Sequence, residues 1–553
     1  MNRTRTSICL ILPLLFYTLF LFTNPLYFST DSQEVADVVD GLYGENNFCQ
    51  FLHPLLCVII KPLNAIFPVT DVFTTLVHLA IFFCFTLLLY LGLESVVDAP
   101  IGKWALSDYI SAALTILSVA FISFGMVIWN VNYNVQTAFF VFSGLLILSF
   151  SKRRGKQRKW FVFGAGFVAF GFMLRIEAAL LFLPFIALEI ITETIEKKRF
   201  TSRYLLPTVL IIALLFSSRV IFYQIEPYKT AIRYNVARTD CMDFPMKKWE
   251  RLEKPDILAA DYNAVTDWVL ADTDIITAEL MEKAAEAGGV NKYSLRNGFA
   301  PIFEDMWTRL TKTNLYMFAL AVMTLILMVR NIIVCSKWRK IESGLSVLGG
   351  FIILFYFTIR GRAPLRVWEP VMFAADYALI SAAIRDKSSE KIQIDLLFQL
   401  MLCVGLWFSA GQVMAHNDWK APATTLNAKT NADESIFRNA FDPEGIYLWP
   451  NWFASIPWYY RDLDKLPPRW VLEHHIPVGD WTYGQPYFDS FLKEIDLENP
   501  AKALIERDNV YLMFGSDTLL DFLRIHYDED FELIEVGELN GQIAYRVVRP
   551  ETG

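Results

Sequence analysis

The feature that most constrains this chain is a series of apolar runs, each about 15 to 25 residues long and separated by short polar stretches. As a helix, a run of that length crosses about 30 Å of hydrocarbon. Of the 553 residues, 54% are hydrophobic and only 20% are charged, which excludes intrinsic disorder, collagen and small disulfide scaffolds. The sequence therefore predicts an α-helical polytopic membrane protein.

The apolar runs predict eleven transmembrane helices. The first follows Arg3 and Arg5 and lacks the small-residue cleavage site of a signal peptide, so we expect a membrane span; a cleaved signal peptide is the alternative. The predicted spans are Ile8–Phe22, Val72–Leu93, Ile110–Trp129, Thr137–Phe150, Trp160–Leu174, Ala178–Ile191, Tyr204–Tyr223, Leu315–Cys335, Leu345–Ile359, Val367–Ile384 and Leu396–Met414.

Lysine and arginine in the short loops predict the orientation, because cytoplasmic loops carry an excess of both. With the N-terminus in the cytoplasm, four basic loops face the cytoplasm: Lys152–Lys159, Lys197–Arg203, Lys337–Lys340 and Arg385–Lys391. The exoplasmic segments are then 29–70, 224–314, 360–366 and the C-terminal part. The two short runs within residues 160–191 form either two spans or a re-entrant hairpin, and both choices keep this orientation.

A change in charge divides the chain into two domains. Residues 415–553 hold 24 Asp and Glu against 12 Lys and Arg, so they contribute −12 to a net charge of −8, and the rest contributes +4. We expect a transmembrane domain over 1–414 and an exoplasmic α/β domain over 415–553. Within the second, we expect strands at Trp470–Ile476 and Val510–Phe514, helices capped at Asn499 and Ser516, and a hairpin turning at Asn540–Gly541.

The first exoplasmic loop opens with two carboxylates, Asp31 and Glu34, three residues apart. On a helix they share one face directly after the first span. A carboxylate there suits a general base that removes a proton from an acceptor hydroxyl, or a ligand for a divalent cation such as Mg²⁺ or Mn²⁺. The structural alternative is a capping arrangement, with Asp31 as N-cap and Glu34 three residues on.

A cationic turn, Arg360-Gly-Arg362-Ala-Pro-Leu-Arg366, lies on the predicted exoplasmic side, against the usual charge bias. Arginine holds phosphate oxygens through its planar fork, so the turn suits a phosphate clamp; contact with lipid headgroups is the alternative. Arg175, Arg219 and Lys61 are expected near the same surface.

Further candidate residues interrupt apolar sequence. Arg175 and Glu177 form either an ion pair or part of a substrate site, since charge at membrane depth usually faces a protein-lined cavity. His53-Pro54 and Lys61-Pro62 are expected to break helix around a membrane-lying segment at 51–67 that would wall a lipid groove. Three candidates complete the set: His53, Asp376 in the tenth span, and Arg238 within the segment Tyr234–Phe244.

Several classes of function lose support. The chain has no Walker loop, GxSxG elbow, HExxH or dinucleotide motif, and no basic patch of a nucleic-acid-binding domain. Its seven cysteines lack the spacing of a metal site.

The order of these features resembles the GT-C superfamily of integral-membrane glycosyltransferases. The features are an N-terminal span with an acidic exoplasmic loop, an arginine in a short helix pair (FGFMLRIEAALLFLPF), an arginine-rich exoplasmic turn and a C-terminal exoplasmic domain. Within that superfamily the chain is similar to bacterial polytopic proteins that share the segments NVQTAFFVFSG, YNVARTDCMDFP and GRAPLRV.

The resemblance implies inverting transfer of a sugar from a polyprenyl-phosphate-type donor to a glycan, lipid or protein acceptor outside the cell membrane. It implies that Asp31, with Glu34 next, is the base or a metal ligand. It assigns the donor phosphate to Arg362 and Arg366, with Arg175 as a further candidate. Thr30-Asp31-Ser32 stands where many relatives carry adjacent acidic residues, which argues against a tightly bound metal.

Two other functions remain open from the sequence. A transporter or flippase of a lipid-linked glycan usually shows two related halves, which this chain lacks. A non-catalytic scaffold, or an enzyme like an O-antigen ligase or polymerase, is the second alternative. In either of these proteins, the aromatic tail segments 447–453 and 458–460 would be the main binding surface.

Overall fold

A computed structural model of the protein describes residues 3–23, 30–96, 104–123, 132–153, 158–198, 205–244, 246–252, 256–289, 299–310, 315–360, 365–386, 399–402, 404, 442–449, 466, 469–513, 515–527, 531–539 and 542–549. Most of these residues are helical. The helices before the tail are α1 (Arg3–Thr23), α2 (Thr30–Val39), α3 (Pro54–Ile66), α4 (Val72–Val96), α5 (Leu106–Ala120), α6 (Tyr133–Arg153), α7 (Arg158–Leu174), α8 (Ile176–Leu180), α9 (Leu183–Lys197), α10 (Leu206–Phe222), α11 (Tyr228–Met242), α12 (Ala259–Thr266), α13 (Ala278–Gly288), α14 (Ala300–Thr308), α15 (Leu315–Val334), α16 (Lys337–Ile359) and α17 (Leu365–Arg385).

Seven helical stretches among the described residues are long and apolar enough to cross a membrane. They are α4, α5, α6, the α8–α9 stretch Ile176–Lys197, α15, α16 and α17. Four further apolar helices, Ser7–Thr18, Pro54–Ile66, Lys159–Leu174 and Leu206–Phe222, are shorter. Each of the first ten predicted spans overlaps a helix, but the sixth covers α8 and the first part of α9. The end of the third span and most of the eleventh lie outside the described residues. This architecture fits a polytopic membrane protein; the number of spans and the orientation stay predictions.

Helix α6 is the centre of the bundle and is buried along most of its length between α7, α17 and α4. Its contact with α7 depends on glycine, because a Cβ on Gly144 would lie 2.5 Å from the carbonyl oxygen of Gly164. A Cβ on Gly171 would likewise lie 2.9 Å from the carbonyl oxygen of Thr137. Small residues of this kind let helix backbones approach closely in a membrane.

A buried polar network joins α9, α16 and α17 at the ends that lead into the predicted cytoplasmic loops. Glu342 bonds both Arg339 and Arg385, with 2.5 Å between the Arg339 Nη1 and Glu342 Oε2 atoms. Glu189 accepts hydrogen bonds from the hydroxyls of Tyr377 and Ser381, at 2.6 and 2.9 Å. Because these side chains are buried and paired, the network holds the three helices in register.

Helix α3 lies between His53 and Phe67 and has two faces. Leu56, Cys57 and Ile60 are buried, whereas Leu55, Val58, Ile59 and Ile66 are exposed. The predicted break at Lys61-Pro62 is wrong, because Pro62 lies inside the helix. An exposed apolar face on a short helix suits a position along a membrane surface.

The tail forms a five-stranded sheet with helices, as the α/β prediction requires. Strand order is β2-β1-β3-β5-β4, with parallel pairing of β1 to β2 and β3 and antiparallel pairing of β5 to β3 and β4. The elements are β1 (Ile446–Trp449), α18 (Arg469–His474), β2 (His475–Pro477), α19 (Pro486–Glu494), α20 (Pro500–Glu506), β3 (Val510–Met513), α21 (Asp517–Tyr527), β4 (Glu532–Leu539) and β5 (Gln542–Val548).

Most of the local predictions for the tail are confirmed. Asn499 caps α20 by accepting from the Lys502 N–H, and Ser516 accepts from the Leu519 N–H at the start of α21. The strand expected over Trp470–Ile476 is wrong in its first part, because Arg469–His474 is helical and the strand begins at His475. The turn between β4 and β5 lies outside the described residues.

The tail packs on the segment that follows α10. The Leu270 N–H donates to the Val478 carbonyl and the Ala501 N–H to the Ala271 carbonyl, at 2.8 and 3.1 Å. Asp272 is buried and accepts from the Tyr527 hydroxyl at 2.7 Å and from Asn499 at 3.0 Å. The segments predicted to be exoplasmic therefore contact one another.

Candidate functional site

Arg175 stands at a break between two helices. Its backbone is extended, with φ −154° and ψ 100°, so the α7 helix ends before it and α8 begins after it. The guanidinium lies 4.6 Å from the centre of the Phe51 ring and 5.6 Å from that of Tyr133. An arginine stacked on two aromatic rings is held in place while its charge is retained.

Glu177 lies between two arginines. Its carboxylate is 3.0 Å from Arg175 Nε and 3.2 Å from Arg219 Nη1. Arg219 in turn donates from Nη2 to the Gln50 carbonyl at 3.0 Å. The carboxylate therefore orients both guanidinium groups and offsets the charge of one of them, which leaves the cluster cationic.

Arg175 and Glu177 line a cavity of about 400 Å³ at the end of the helical bundle. Arg360, at the end of α16, also lines it, and its guanidinium lies 5.8 Å from the centre of the Phe244 ring. The remaining lining residues are Asn134, Ala178, Leu181, Phe244, Tyr356, Phe357 and Val367. Two arginines against one carboxylate, within aromatic walls, favour an anionic ligand.

The first turn of α2 lies beside this cavity. The Ser32 Oγ accepts a hydrogen bond from the Tyr133 N–H at 3.2 Å, and the next residue, Asn134, lines the cavity. Asp31 immediately precedes Ser32 in α2, so its backbone lies beside the cavity; its side chain is outside the described part of the structure. The fold therefore brings the acidic loop close to Arg175, as the sequence hypothesis needs.

Glu34, on α2, lies near the tail. It is half-buried and close to Tyr487, a fully buried residue of α19. Burial raises the pKa of the Tyr487 hydroxyl well above its ordinary value, and the charge of Glu34 contributes to the rise. Glu34 thus faces a junction between the first loop and the tail.

The other arginines of the cationic turn are only partly described. Arg362 lies outside the described residues, and Arg366 belongs to the first turn of α17, with its side chain outside them. Their role in binding phosphate stays a prediction. Lys61 is exposed and donates from Nζ to the Glu45 carbonyl at 2.9 Å, on the first loop.

His53 joins the first loop to α10. Its Nδ1 accepts from the Leu55 N–H at 3.1 Å, which leaves the proton on Nε2 to donate to the Leu215 carbonyl at 2.8 Å. Burial lowers the pKa of His53, although the bond to Leu215 acts in the opposite direction. Both ring nitrogens therefore form hydrogen bonds inside the protein: Nδ1 caps the start of α3, and Nε2 bonds to α10.

Arg238 is buried in α11, apart from the residues that line the cavity. It donates from Nη2 to Asn235 Oδ1 at 2.9 Å and lies 5.2 Å from the centre of the Trp268 ring. In the segment Tyr234–Phe244, Phe244 is the residue that reaches the cavity. Asp376 is buried beside α15, where its Oδ1 accepts from the Thr324 hydroxyl at 2.8 Å.

Sequence reasoning missed several residues of this site. Phe51, Tyr133 and Tyr356 supply its aromatic surroundings, and Gln50 contributes a backbone acceptor to Arg219. The Gln50 amide is buried and, within the described residues, neither of its polar atoms has a hydrogen-bond partner. No motif marks these residues, because aromatic and amide side chains are common in apolar runs.

A metal site is not assembled by the described side chains. Among them, no group of three or more His, Cys, Asp or Glu is placed to hold a metal ion. The side chain of Asp31, the residue for which a cation was predicted, is not one of them, so the divalent cation stays a prediction.

An apolar groove of about 310 Å³ lies next to the cavity, between α14, α15, α16 and α17. Leu354 and Trp368 line the groove, whereas Phe357 and Val367, from the same two helices, line the cavity. Leu354 and Phe357 are three residues apart and share one face of α16. A charged cavity therefore adjoins an apolar groove. The other described residues that line the groove are Phe303, Met306, Trp307, Leu310, Ala321, Thr324, Leu325, Met328, Val347, Gly350, Phe351, Met372 and Ala375.

Comparison with family models, with curated proteins and with solved structures gives no match. The resemblance to the GT-C superfamily therefore stays a prediction, and we infer function from the residues that line the cavity and the groove.

Proposed function

We propose that this protein is a membrane glycosyltransferase that moves a sugar from a polyprenyl-phosphate donor to an acceptor on the exoplasmic side. The observation that supports this most is the cationic cavity of Arg175 and Arg360 beside the apolar groove. A polyprenyl phosphate has the matching form, with an anionic head on a long apolar chain. The GT-C resemblance and the predicted orientation point to the same reaction.

In the proposed reaction the arginines bind the donor phosphate and Asp31 acts as general base. An acceptor hydroxyl attacks the anomeric carbon from the face opposite the phosphate, so the new glycosidic bond forms as the carbon–oxygen bond to phosphate breaks. The hydroxyl proton passes to Asp31, and polyprenyl phosphate leaves with the bonding electron pair. Arg175 and Arg360 stabilise the charge that develops on the leaving phosphate, and the configuration at carbon inverts.

The position of Arg175 favours this role over a purely structural one. Stacking on Phe51 and pairing with Glu177 hold the guanidinium at the cavity wall without removing its charge. Positioned charge is worth more in a water-poor site than on a surface, because it needs no reorganisation during the reaction.

Donor binding is the first test and needs no knowledge of the sugar. Purified full-length protein is titrated with undecaprenyl phosphate or with undecaprenol, which lacks the phosphate, and thermal stability is measured. We expect the phosphate to stabilise the protein more than the alcohol, and Arg175→Gln to lose about tenfold in affinity for the phosphate. Arg233→Gln, at an exposed ion pair on α11, is the matched control and keeps wild-type affinity.

Transfer is the second test. Proteoliposomes with the protein receive polyprenyl phosphate carrying a radiolabelled hexose, and membrane extracts supply acceptors. We expect Asp31→Asn to abolish transfer while it keeps binding undecaprenyl phosphate. Retained transfer in both Asp31→Asn and Glu34→Gln excludes the base assignment. Movement of the labelled lipid across the bilayer without product identifies a flippase instead.

A further inference from the structure

A second pocket, of about 320 Å³, lies in the tail, on the sheet and away from the arginine cavity. It occupies the edge where the parallel strands β1 and β2 begin. The segment before β1 supplies Asp442, Pro443 and Glu444, and α18 supplies Trp470 and His474. Tyr447 and His475, one from each strand, form its floor.

An aromatic ladder underlies this pocket. Tyr447 pairs in register with His475 on one side and with Tyr511 on the other, so the three side chains share one face of the sheet. The Tyr447 ring stacks on His475 at 5.3 Å and on Tyr511 at 5.6 Å between ring centres. Ring stacking across three strands makes the floor rigid.

Asp442 and Glu444 form an acidic wall of the pocket, and Asp442 is hydrogen-bonded to the aromatic ladder. The Tyr447 hydroxyl donates to the Asp442 carbonyl at 2.7 Å, and the Tyr511 hydroxyl donates to Asp442 Oδ2 at 2.8 Å. Glu444 is exposed at the rim, and its backbone N–H donates to Asp442 Oδ1 at 3.0 Å. Asp442 thus offers a fixed acceptor beside an aromatic surface, and the Glu444 carboxylate is a second acceptor at the rim.

His475 supplies a fixed donor. Trp449 Nε1–H can only donate, and it lies 3.1 Å from His475 Nδ1, so Nδ1 accepts and Nε2 carries the ring proton. His475 is only 3% exposed and lines the pocket. Within the described residues, the Nε2–H has no hydrogen-bond partner, so it can donate to a ligand in the pocket.

We propose that this pocket binds a neutral sugar residue, such as the end of a glycan chain. A sugar hydroxyl both accepts from a ring N–H and donates to a carboxylate, which matches His475 opposite Asp442 and Glu444. The C–H face of a sugar ring packs on an aromatic surface, which Trp470 supplies at the pocket wall, since His475 and Tyr511 cover the two faces of Tyr447. The pocket has the size of a small-ligand site. Like such sites, it combines aromatic walls with a few convergent polar groups. Binding here needs neither the lipid donor nor Asp31, so the inference stands apart from the proposed transfer reaction.

The test is calorimetric titration of the full-length protein in lipid nanodiscs with the methyl glycosides of glucose, galactose, mannose and rhamnose. We expect at least one to bind saturably. Trp470→Ala should abolish binding, and Glu444→Gln should weaken it about tenfold, because one charged hydrogen bond is lost. Glu535→Gln, an exposed glutamate on β4, is the matched control and should bind as the wild type does.

Each other outcome overturns the proposal. If none of the four glycosides binds the wild type, the pocket is not a sugar site. If a glycoside binds Trp470→Ala and Glu444→Gln as tightly as it binds the wild type, it occupies another site in the protein. Because Glu444 is exposed, its variant tests binding even if Trp470→Ala misfolds. Asp31→Asn should keep sugar binding, so a failure of the transfer reaction and a failure of this pocket give different results.

Discussion

Arg175 shows how one residue acquires its role from its surroundings. In the sequence it is a single charge in an apolar stretch, for which an ion pair and a substrate contact are equally reasonable. In the structure Glu177 pairs with it and it lines the cavity, while contact with a substrate stays a proposal. The ion pair orients the guanidinium, so the two interpretations are complementary.

His475 carries the clearest prediction at this scale. Burial, with a smaller effect of the neighbouring His474, lowers the pKa of His475 to about 3. Between pH 6.5 and 3, a histidine in the unfolded chain binds a proton, whereas His475 in the folded protein stays neutral. The contribution of neutral His475 to stability is therefore complete above pH 6.5 and declines as the pH falls toward 3. Well below pH 6.5 we expect the free energy of unfolding of the tail to fall by about 1.4 kcal/mol per pH unit from this residue.

Thermal unfolding followed by near-ultraviolet circular dichroism, at a series of pH values, measures this effect. His475→Asn keeps an acceptor for Trp449 and removes the titrating ring, so its stability should depend less steeply on pH. Ser490→Ala, which changes an exposed, non-titrating side chain on α19, is the control and should keep the wild-type slope. Equal slopes in wild type and His475→Asn would contradict the prediction.

At the scale of elements, the crossing of α6 and α7 depends on the absence of side chains. A Cβ on Gly144 meets the Gly164 carbonyl oxygen at 2.5 Å, and a Cβ on Gly164 meets the Gly144 carbonyl oxygen at 2.8 Å. Gly144→Ala and Gly164→Ala should each separate the two helices and lower stability by about 1–3 kcal/mol. Retention of a monodisperse peak after heating in detergent measures the loss.

Gly166, also on α7, is the matched control. A Cβ there meets nothing within 4 Å, so Gly166→Ala should leave stability unchanged or raise it by about 0.5–1 kcal/mol, as helix propensity predicts. If all three alanine variants behave alike, close approach does not hold α6 against α7.

The polar network of α9, α16 and α17 gives a second prediction for elements. Glu342 is fully buried and paired with Arg339 and Arg385, so Glu342→Gln removes one carboxylate partner from each arginine and leaves them paired with Glu196 and Glu189. We expect a loss of about 1–3 kcal/mol in stability, seen as a lower unfolding temperature in detergent. Glu304→Gln, an exposed glutamate on α14, should have little effect.

Sequence patterns found these helices and missed the network that joins them. Apolar runs of sufficient length predict a helix whatever surrounds it, so ten of the predicted spans appear as helices. Glu189, Glu342 and Arg385 are far apart in the chain and look like ordinary ends of apolar runs. Only packing shows that they meet, because long-range pairing leaves no local pattern.

At the scale of the whole molecule, the segment after α10 and the tail form one body around Asp272. Its carboxylate accepts from Tyr527 and Asn499 of the tail and from the N–H groups of Asp274 and Ile275. Asp272→Ala leaves these donors without their acceptor, and we expect a loss of about 1–3 kcal/mol in the docking of the tail.

Hydrogen exchange resolves that loss by region. In Asp272→Ala the amides of Asp517–Tyr527 should exchange faster, while those of α6 keep the wild-type rate. Glu279→Ala changes an exposed carboxylate on α13 and should alter neither region. Unchanged exchange in α21 would show that other contacts suffice to hold the tail.

The sequence by itself determined the helical membrane architecture, the α/β tail and the candidate charges, because hydropathy, caps and turn residues act over a few neighbouring positions. Only the tertiary structure decided that Arg175 stacks on Phe51 and Tyr133, that the first turn of α2 adjoins their cavity, and that His475 faces a second pocket in the tail. Each of these depends on residues distant in the chain that come together when apolar faces pack and buried polar groups find partners. Contacts between distant residues depend on the whole fold, so they cannot be predicted from any single stretch of sequence.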